Sequence, residues 1–247
     1  MPALSECLSR HRDLTPPETV ETLRAAAKAD GPRIQRIEVA GEIFWIKRPE
    51  KLSLRMRLQK GDATRAFAAE VAAHQDYVNR GLPVAPVVLA TDDYLVTRDC
   101  GPHLKYLART EAPEFATALA AGAKALAQFH AQGVAHGRPS LKDICWQDGG
   151  IAFLDLERAG RGGSGARAMD ALILIFSTAV ETRNDLSAME TARNAYLAAG
   201  DPAVWKAARK RARRYRLLGW LLRPVVALLK GNREFEAIAP VLRFMGE

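Results

Sequence analysis

A change of hydrophobic period near Gly101 divides the 247-residue chain and most constrains its fold. Before that point, short segments rich in β-branched and aromatic residues alternate with two helical patterns. After it, apolar residues recur at helical spacing almost to the end. Residues 17–29 (PETVETLRAAAKA) read as a helix, with Thr15 as a cap and Pro16 and Pro17 in its opening turn. IQRIEV and EIFWIKR read as two strands around a tight turn at Ala40-Gly41. Residues 60–81 read as a helix capped by Asp62 or Thr64 and ended by Gly81. LPVAPVVLA and DDYLVTRDC read as two further strands, joined at Asp92-Asp93.

Beyond Gly101, EFATALAAGAKALAQFHAQG is an alanine-rich helix. A loop follows, then a strand, a turn at Asp148-Gly149-Gly150, and a strand ending at Asp155. The glycine-rich stretch 158–167 is expected to be mobile. The remainder should be helical, with breaks near Gly200-Asp201-Pro202 and at Pro224. Strands first and helices afterwards imply an α+β chain of two lobes. The boundaries expected are 1–100, with a helical leader over about 1–32, and 101–247.

Composition narrows the class. Hydrophobic residues make up 48% and charged residues 26%, a globular balance rather than a disordered one. Cys7, Cys100 and Cys145 are odd in number and widely spaced, which argues against a disulfide scaffold or zinc ribbon and for a reducing compartment. Charge at Glu6 and Arg10 interrupts any apolar run, so no secretory signal is expected. The apolar stretches 168–180 and 217–229 fall short of a spanning helix.

The chemistry concentrates in LAQFHAQGVAHGRPSLKDICWQDGGIAFLDLER. This stretch resembles the catalytic core of protein-kinase-like phosphotransferases, and most of all the bacterial lipopolysaccharide (Kdo/heptose) kinases and their RIO-like relatives. The resemblance extends backward over most of the chain and implies a two-lobed protein-kinase-like fold. It implies that Lys47, in IFWIKR, binds the phosphates of ATP and that Glu70, on the next helix, holds that lysine. Backbone from Thr97 to Cys100 would meet adenine. Asp143 and Asp155 would hold Mg²⁺, His136 would be structural, and Asp170 could tether the catalytic loop or merely cap its helix. His130, beside Phe129 on an apolar face, reads as a hydrogen-bonded core histidine.

Physically the set is coherent. Phosphoryl transfer needs metal ions bridging the phosphates, a cation on them and in-line placement, with little covalent help. The pattern also departs from the family. Arg138 stands where these kinases place the catalytic base, and an arginine stays protonated. Glu157 replaces the glycine after the metal-binding aspartate, and no glycine-rich loop is visible. Two readings result: a phosphotransferase in which Asp143 acts on the acceptor, with Arg138 stabilising charge, or a pseudokinase that binds nucleotide or serves as a scaffold. Only fourteen residues separate Asp155 from Asp170, too few for a regulated activation loop. A small molecule or lipid-linked sugar is therefore the expected acceptor.

From Asp201 to Arg233 the chain carries ten Lys/Arg and one acid, a local +9 against a net +8 for the whole. This segment reads first as a solvated helical face. Trp205, Tyr215, Trp220 and the leucines beyond also suit an anionic membrane surface through residues 205–230. Nucleic acid is the least favoured partner, because an apolar run directly follows the basic one. The expected location is cytoplasmic, extending to the inner face of the membrane.

Overall fold

The computed structural model describes residues 15–50, 63–228 and 231–246, so Cys7, His11 and the Asp62 cap lie outside the described residues. Side chains at 217–230, including Trp220 and the apolar end of the basic segment, lie outside them as well. The chain divides into two compact units. The first comprises Met1–Cys100 with Leu154–Glu157, and the second comprises Gly101–Phe153 with Arg158–Glu247.

In the first unit, α1 (Pro17–Lys28), β1 (Ile34–Val39), β2 (Glu42–Lys47), α2 (Ala63–Asn79), β3 (Val87–Ala90) and β4 (Leu95–Arg98) follow in chain order. The strands form one antiparallel sheet in the order β1-β2-β4-β3. Ala40 and Gly41 both take positive φ, 53° and 78°, which gives the two-residue turn whose twist matches a hairpin. Side chains alternate across the sheet with period two. Phe44, Ile46 and Val96 therefore face Val20, Leu23 and Ala27 of α1, forming one apolar layer. Leu95 and Val87 face the opposite way, onto Phe67 and Val71 of α2. Lys47, one residue after Ile46, is thereby aimed at the α2 side.

Three local expectations are corrected here. Thr15 does not cap α1; it is buried and its hydroxyl accepts from Arg98 Nη2 at 2.9 Å, while Pro16 is the cap residue. The C-terminal end of α1 is instead held by Arg48, whose guanidinium donates to the Ala26, Ala27 and Ala29 carbonyls. A cation there meets both the unpaired carbonyls and the helix dipole. LPVAPVVLA is strand only from Val87, because Pro83 and Pro86 lack the N–H that a ladder needs. Thr64 lies inside α2, one residue past its start, and does not cap it.

The second unit contains α3 (Leu104–Arg109), α4 (Phe115–Ala131), β5 (Val134–Ala135), β6 (Ile144–Gln147), β7 (Gly150–Phe153), β8 (Gly160–Arg161), α5 (Ser164–Glu181), α6 (Leu186–Ala199), α7 (Pro202–Leu228) and α8 (Arg233–Phe244). Leu119, Ala123, Leu126 and Phe129 of α4 are fully buried, and the small alanines let α6 approach closely. Phe129 packs on Phe153 with ring centroids 4.9 Å apart.

Three expectations change in this unit. The glycine-rich stretch is structured: Gly160–Arg161 pairs with Val134–Ala135, and α5 begins at Ser164. Gly162 lies so close to Val134 that a Cβ would fall 2.7 Å from its carbonyl carbon, so the glycine serves packing rather than flexibility. Helix α7 runs through Pro224 without a break in its assignment. Part of the basic segment is structural as well: Arg209 and Arg213 donate to the carbonyls of Met245 and Gly246, and Arg211 donates to that of Gly165. No described helix is long and apolar enough to cross a membrane.

Candidate active site

The alternation that sends Phe44 and Ile46 to one side of the sheet places the Lys47 ammonium where α2 presents a carboxylate. Phe67, Glu70, Val71 and His74 recur at helical spacing along one face of α2, and all four are buried. Lys47 Nζ donates to Glu70 Oε1 at 2.6 Å and to Asp155 Oδ1 at 2.9 Å. The side chains are 16%, 3% and 23% exposed respectively, so the pair of ion pairs is largely desolvated. These three residues, 108 positions apart at the extremes, thus meet inside the first unit.

Electrostatics follow from two carboxylates sharing one cation. Burial pulls the Lys47 ammonium down, but Glu70 and Asp155 together outweigh it and hold the lysine above its ordinary value. Burial pushes the Glu70 carboxyl above the usual carboxylate range; Lys47 opposes this, and Asp155 and Glu157 add to it. Asp155 itself lies two residues beyond the end of β7, with φ at 59°. A non-glycine residue held in the left-handed region costs of order 1–3 kcal/mol and persists where its surroundings over-determine it.

Thr97 lies in β4, paired with Trp45 on one side and Val87 on the other. The next N–H groups are committed to the sheet: Arg98 donates to Pro86 and Asp99 donates to Ile43. Burial, reinforced by Asp99, pushes the Cys100 thiol up to about 12. The sign is that of a raised acid: the stabilising contribution is full below the ordinary thiol value and is lost as pH rises toward 12. Alkylation at pH 8, followed residue by residue by mass spectrometry, should be tens of times slower at Cys100 than at a thiol of pKa 9.0, because its scarcer thiolate is only partly offset by greater nucleophilicity.

The second unit holds the catalytic-type loop. Asp170 of α5 is fully buried and accepts the backbone N–H of His136 at 2.7 Å and of Gly137 at 3.0 Å. Of the two sequence readings, tether and cap, the tether geometry is the one present. Asp170 Oδ2 also lies 3.3 Å from His130 Nε2, and His130 Nδ1 lies 2.6 Å from the Tyr196 hydroxyl. A carboxylate only accepts, so His130 donates through Nε2 and accepts the Tyr196 proton at Nδ1. Burial raises the Tyr196 phenol, which keeps it a donor. Gly137, with φ at 92°, passes so close to Arg158 that an added Cβ would fall 2.2 Å from its carbonyl oxygen. No other residue fits there without displacing backbone.

Asp143 closes a short 3₁₀ turn, Leu141–Asp143, and is buried. Its carboxylate accepts from Ser140 Oγ at 2.7 Å, and Lys142 Nζ lies 3.7 Å away. Arg138 is half-buried, and its backbone N–H donates to His136 Nδ1 at 3.3 Å. Sequence reading missed Ser140, Ser177 and Tyr196. Ser177 Oγ accepts the Leu141 N–H at 2.8 Å, giving α5 a second hold on the loop. The spacing from Asp170 to Ser177, two turns on one helix face, was the available signal.

A small unit built on an antiparallel sheet, a larger helical unit, and a lysine clamped by a helix glutamate define a protein-kinase-like fold, and the chain has it. No family model matches the chain. An aminoglycoside phosphotransferase solved with ADP bound is similar over 93% of this chain and 97% of its own, with 11% identity and a TM-score of 0.50. A choline/ethanolamine kinase family protein from Mesorhizobium loti is 13% identical, covering 93% of this chain and 95% of its own, with a TM-score of 0.49. In sequence, an uncharacterized protein of Haemophilus influenzae is 30% identical over 128 residues, 51% of this chain. The chain spans about half of that relative's length, 53%. At such identities the structural likeness establishes the fold alone.

Proposed function

We propose that the chain is an ATP- and Mg²⁺-dependent phosphotransferase acting on a small-molecule or lipid-linked sugar acceptor, similar to lipopolysaccharide kinases. The observation that carries this reading is the desolvated Lys47 bound to both Glu70 and Asp155. A buried cation held between two carboxylates is costly as pure architecture, because desolvation offsets much of the attraction. It is well suited to receiving phosphate oxygens, with Glu70 orienting the ammonium while Asp155 turns to a metal.

Two carboxylates are a donor set that suits Mg²⁺, which commonly takes one or two together with substrate phosphates and water. In this reading Asp155 supplies one carboxylate and Asp143, steadied by Ser140, supplies another. Bound Mg²⁺ would neutralise charge developing on the transferred phosphoryl group. Backbone from Thr97 to Cys100 would meet adenine, and Asp143 with Arg138 would face the acceptor. The structurally similar aminoglycoside phosphotransferase, with ADP bound, supports a nucleotide and a small acceptor. The site of action would be cytoplasmic, with residues 205–230 reaching an anionic membrane surface. Lys206 and Lys210 of α7 are exposed, as that contact would require, whereas Trp205 is buried against Tyr196 and would take no part in it.

Arg138 and Glu157 favour a second reading, a pseudokinase, since a guanidinium cannot take the acceptor's proton. Thermal unfolding separates these outcomes. ATP with Mg²⁺ at a hundred times its dissociation constant should add ~2.7 kcal/mol of stability. Asp155→Ala should remove the metal-dependent part of that gain. No gain with any nucleotide would sink both readings, and a metal-independent gain without turnover would favour the pseudokinase.

A further inference from the structure

An open cavity of about 550 Å³ lies wholly within the helical unit, where α3 turns into α4 beside the end of α5. It lies at the start of α4, whose 17 residues put roughly 24 Å between Phe115 and the residue that leads into the catalytic-type loop. This volume falls within the range of small-molecule sites. Its wall is apolar where Ala112 and Phe115 contribute, and charged where Arg109, Arg183 and Arg233 do.

The three arginines are not equivalent. Arg109 is neutralised by Glu181, which Lys105 also approaches at 3.5 Å. Asp185, on the same rim, is occupied in capping α6 through the Ser187 N–H at 2.9 Å. Arg183 and Arg233 have neither an ion pair nor a hydrogen bond among the described residues. Arg183 and Arg233 thus line a cavity whose three acidic residues are Glu181, paired with Arg109, Asp185, which caps α6, and Glu111.

Arg183 also takes φ of 55°, followed by Asn184 at 66°. This turn ends α5, with the Asn184 N–H bonded to the Ala179 carbonyl at 2.7 Å. Helix ends of this kind usually place glycine or asparagine in the left-handed position. An arginine there bears a conformational cost that no partner within the described residues repays, yet it keeps a guanidinium on the cavity wall.

We propose that this cavity binds a small molecule with an apolar body and an oxyanion, phosphate or carboxylate, gripped by Arg183 and Arg233. The planar guanidinium fork matches either group with paired N–H···O bonds. The site involves none of the residues assigned to nucleotide.

Inorganic pyrophosphate and citrate, titrated calorimetrically into the full chain at low ionic strength, test it. At least one should bind, and the tighter of the two identifies the preferred group. Arg183→Gln and Arg233→Gln should each weaken that binding tenfold or more. Hydrogen exchange in the same samples should show anion-induced protection across 108–116 and 181–185, lost in both variants, while any protection around 43–47 reports the nucleotide phosphate site separately. Arg183 is exposed, so its variant should fold normally. Absence of binding by both anions, binding indifferent to both substitutions, or protection confined to 43–47 would overturn the proposal.

Discussion

Lys47→Met is expected to abolish phosphotransfer and to destabilise the first unit by about 2–4 kcal/mol, through one cause. Removing the ammonium leaves Glu70 and Asp155 as neighbouring carboxylates in a desolvated pocket with no cation between them. Breaking a fully buried ion pair this way costs about 3–5 kcal/mol. The residual exposure of Lys47 and Asp155, 16% and 23%, lowers the figure here. The double variant Lys47→Met/Glu70→Gln should recover part of the loss, since it removes the more deeply buried unpaired charge. Denaturant unfolding of the two single variants and the double closes the cycle. A double variant as unstable as the sum of its parts would show that the two residues do not interact. Activity should not recover in the double variant, because loss of an electrostatic contact to the transferring group costs about 10²–10³ in rate whatever the stability.

Asp170→Ala should have an effect of similar size in the second unit, and for a different reason. Its two oxygens accept the His136 and Gly137 N–H groups and lie against His130 Nε2. Deleting them strands buried donors, at roughly 1–3 kcal/mol each, so a total of about 3–5 kcal/mol is expected. Asp170→Asn, which keeps one acceptor oxygen, should lose less. Backbone amide exchange at His136 and Gly137 reads the effect directly: both should exchange much faster in Asp170→Ala. Tyr196→Phe, which removes only the donor to His130 Nδ1, should cost about 1 kcal/mol and leave the two loop amides protected.

Much of the architecture was legible because local pattern and fold agree. The period-two alternation in EIFWIK already assigns Phe44 and Ile46 to one face and Lys47 to the other. Glu70 is legible only through the resemblance, which pairs a strand lysine with a glutamate on the next helix. Asp155, ending an apolar strand, is legible because an ionised carboxylate there needs a partner or a metal. What sequence did not disclose depends on tertiary partners. Nothing local to Tyr196 signals that it reaches His130 at the end of α4, and only its spacing from Asp170 hints that Ser177 reaches the loop beyond. The glycines at 160–163 read as a flexible run, yet Gly162 is present because the Val134 backbone leaves no room for a Cβ. Arginines 209, 211 and 213 read as solvated, since the carbonyls they satisfy lie 46 residues away or fewer in sequence but on other elements. Helix α3, six residues long, is too short for periodicity to announce.

The account rests on Lys47 contacting nucleotide phosphate, and an acyl-phosphate derivative of ATP tests that contact covalently. The lysine amine attacks the acyl carbon, the nucleotide phosphate leaves, and an amide remains on the modified residue for mass spectrometry to locate. Lys47 should be labelled, and excess ATP with Mg²⁺ should suppress labelling there while exposed lysines such as Lys206 continue to react. Labelling of Lys47 that ignores added ATP, or its absence when Lys206 is modified, would contradict the account.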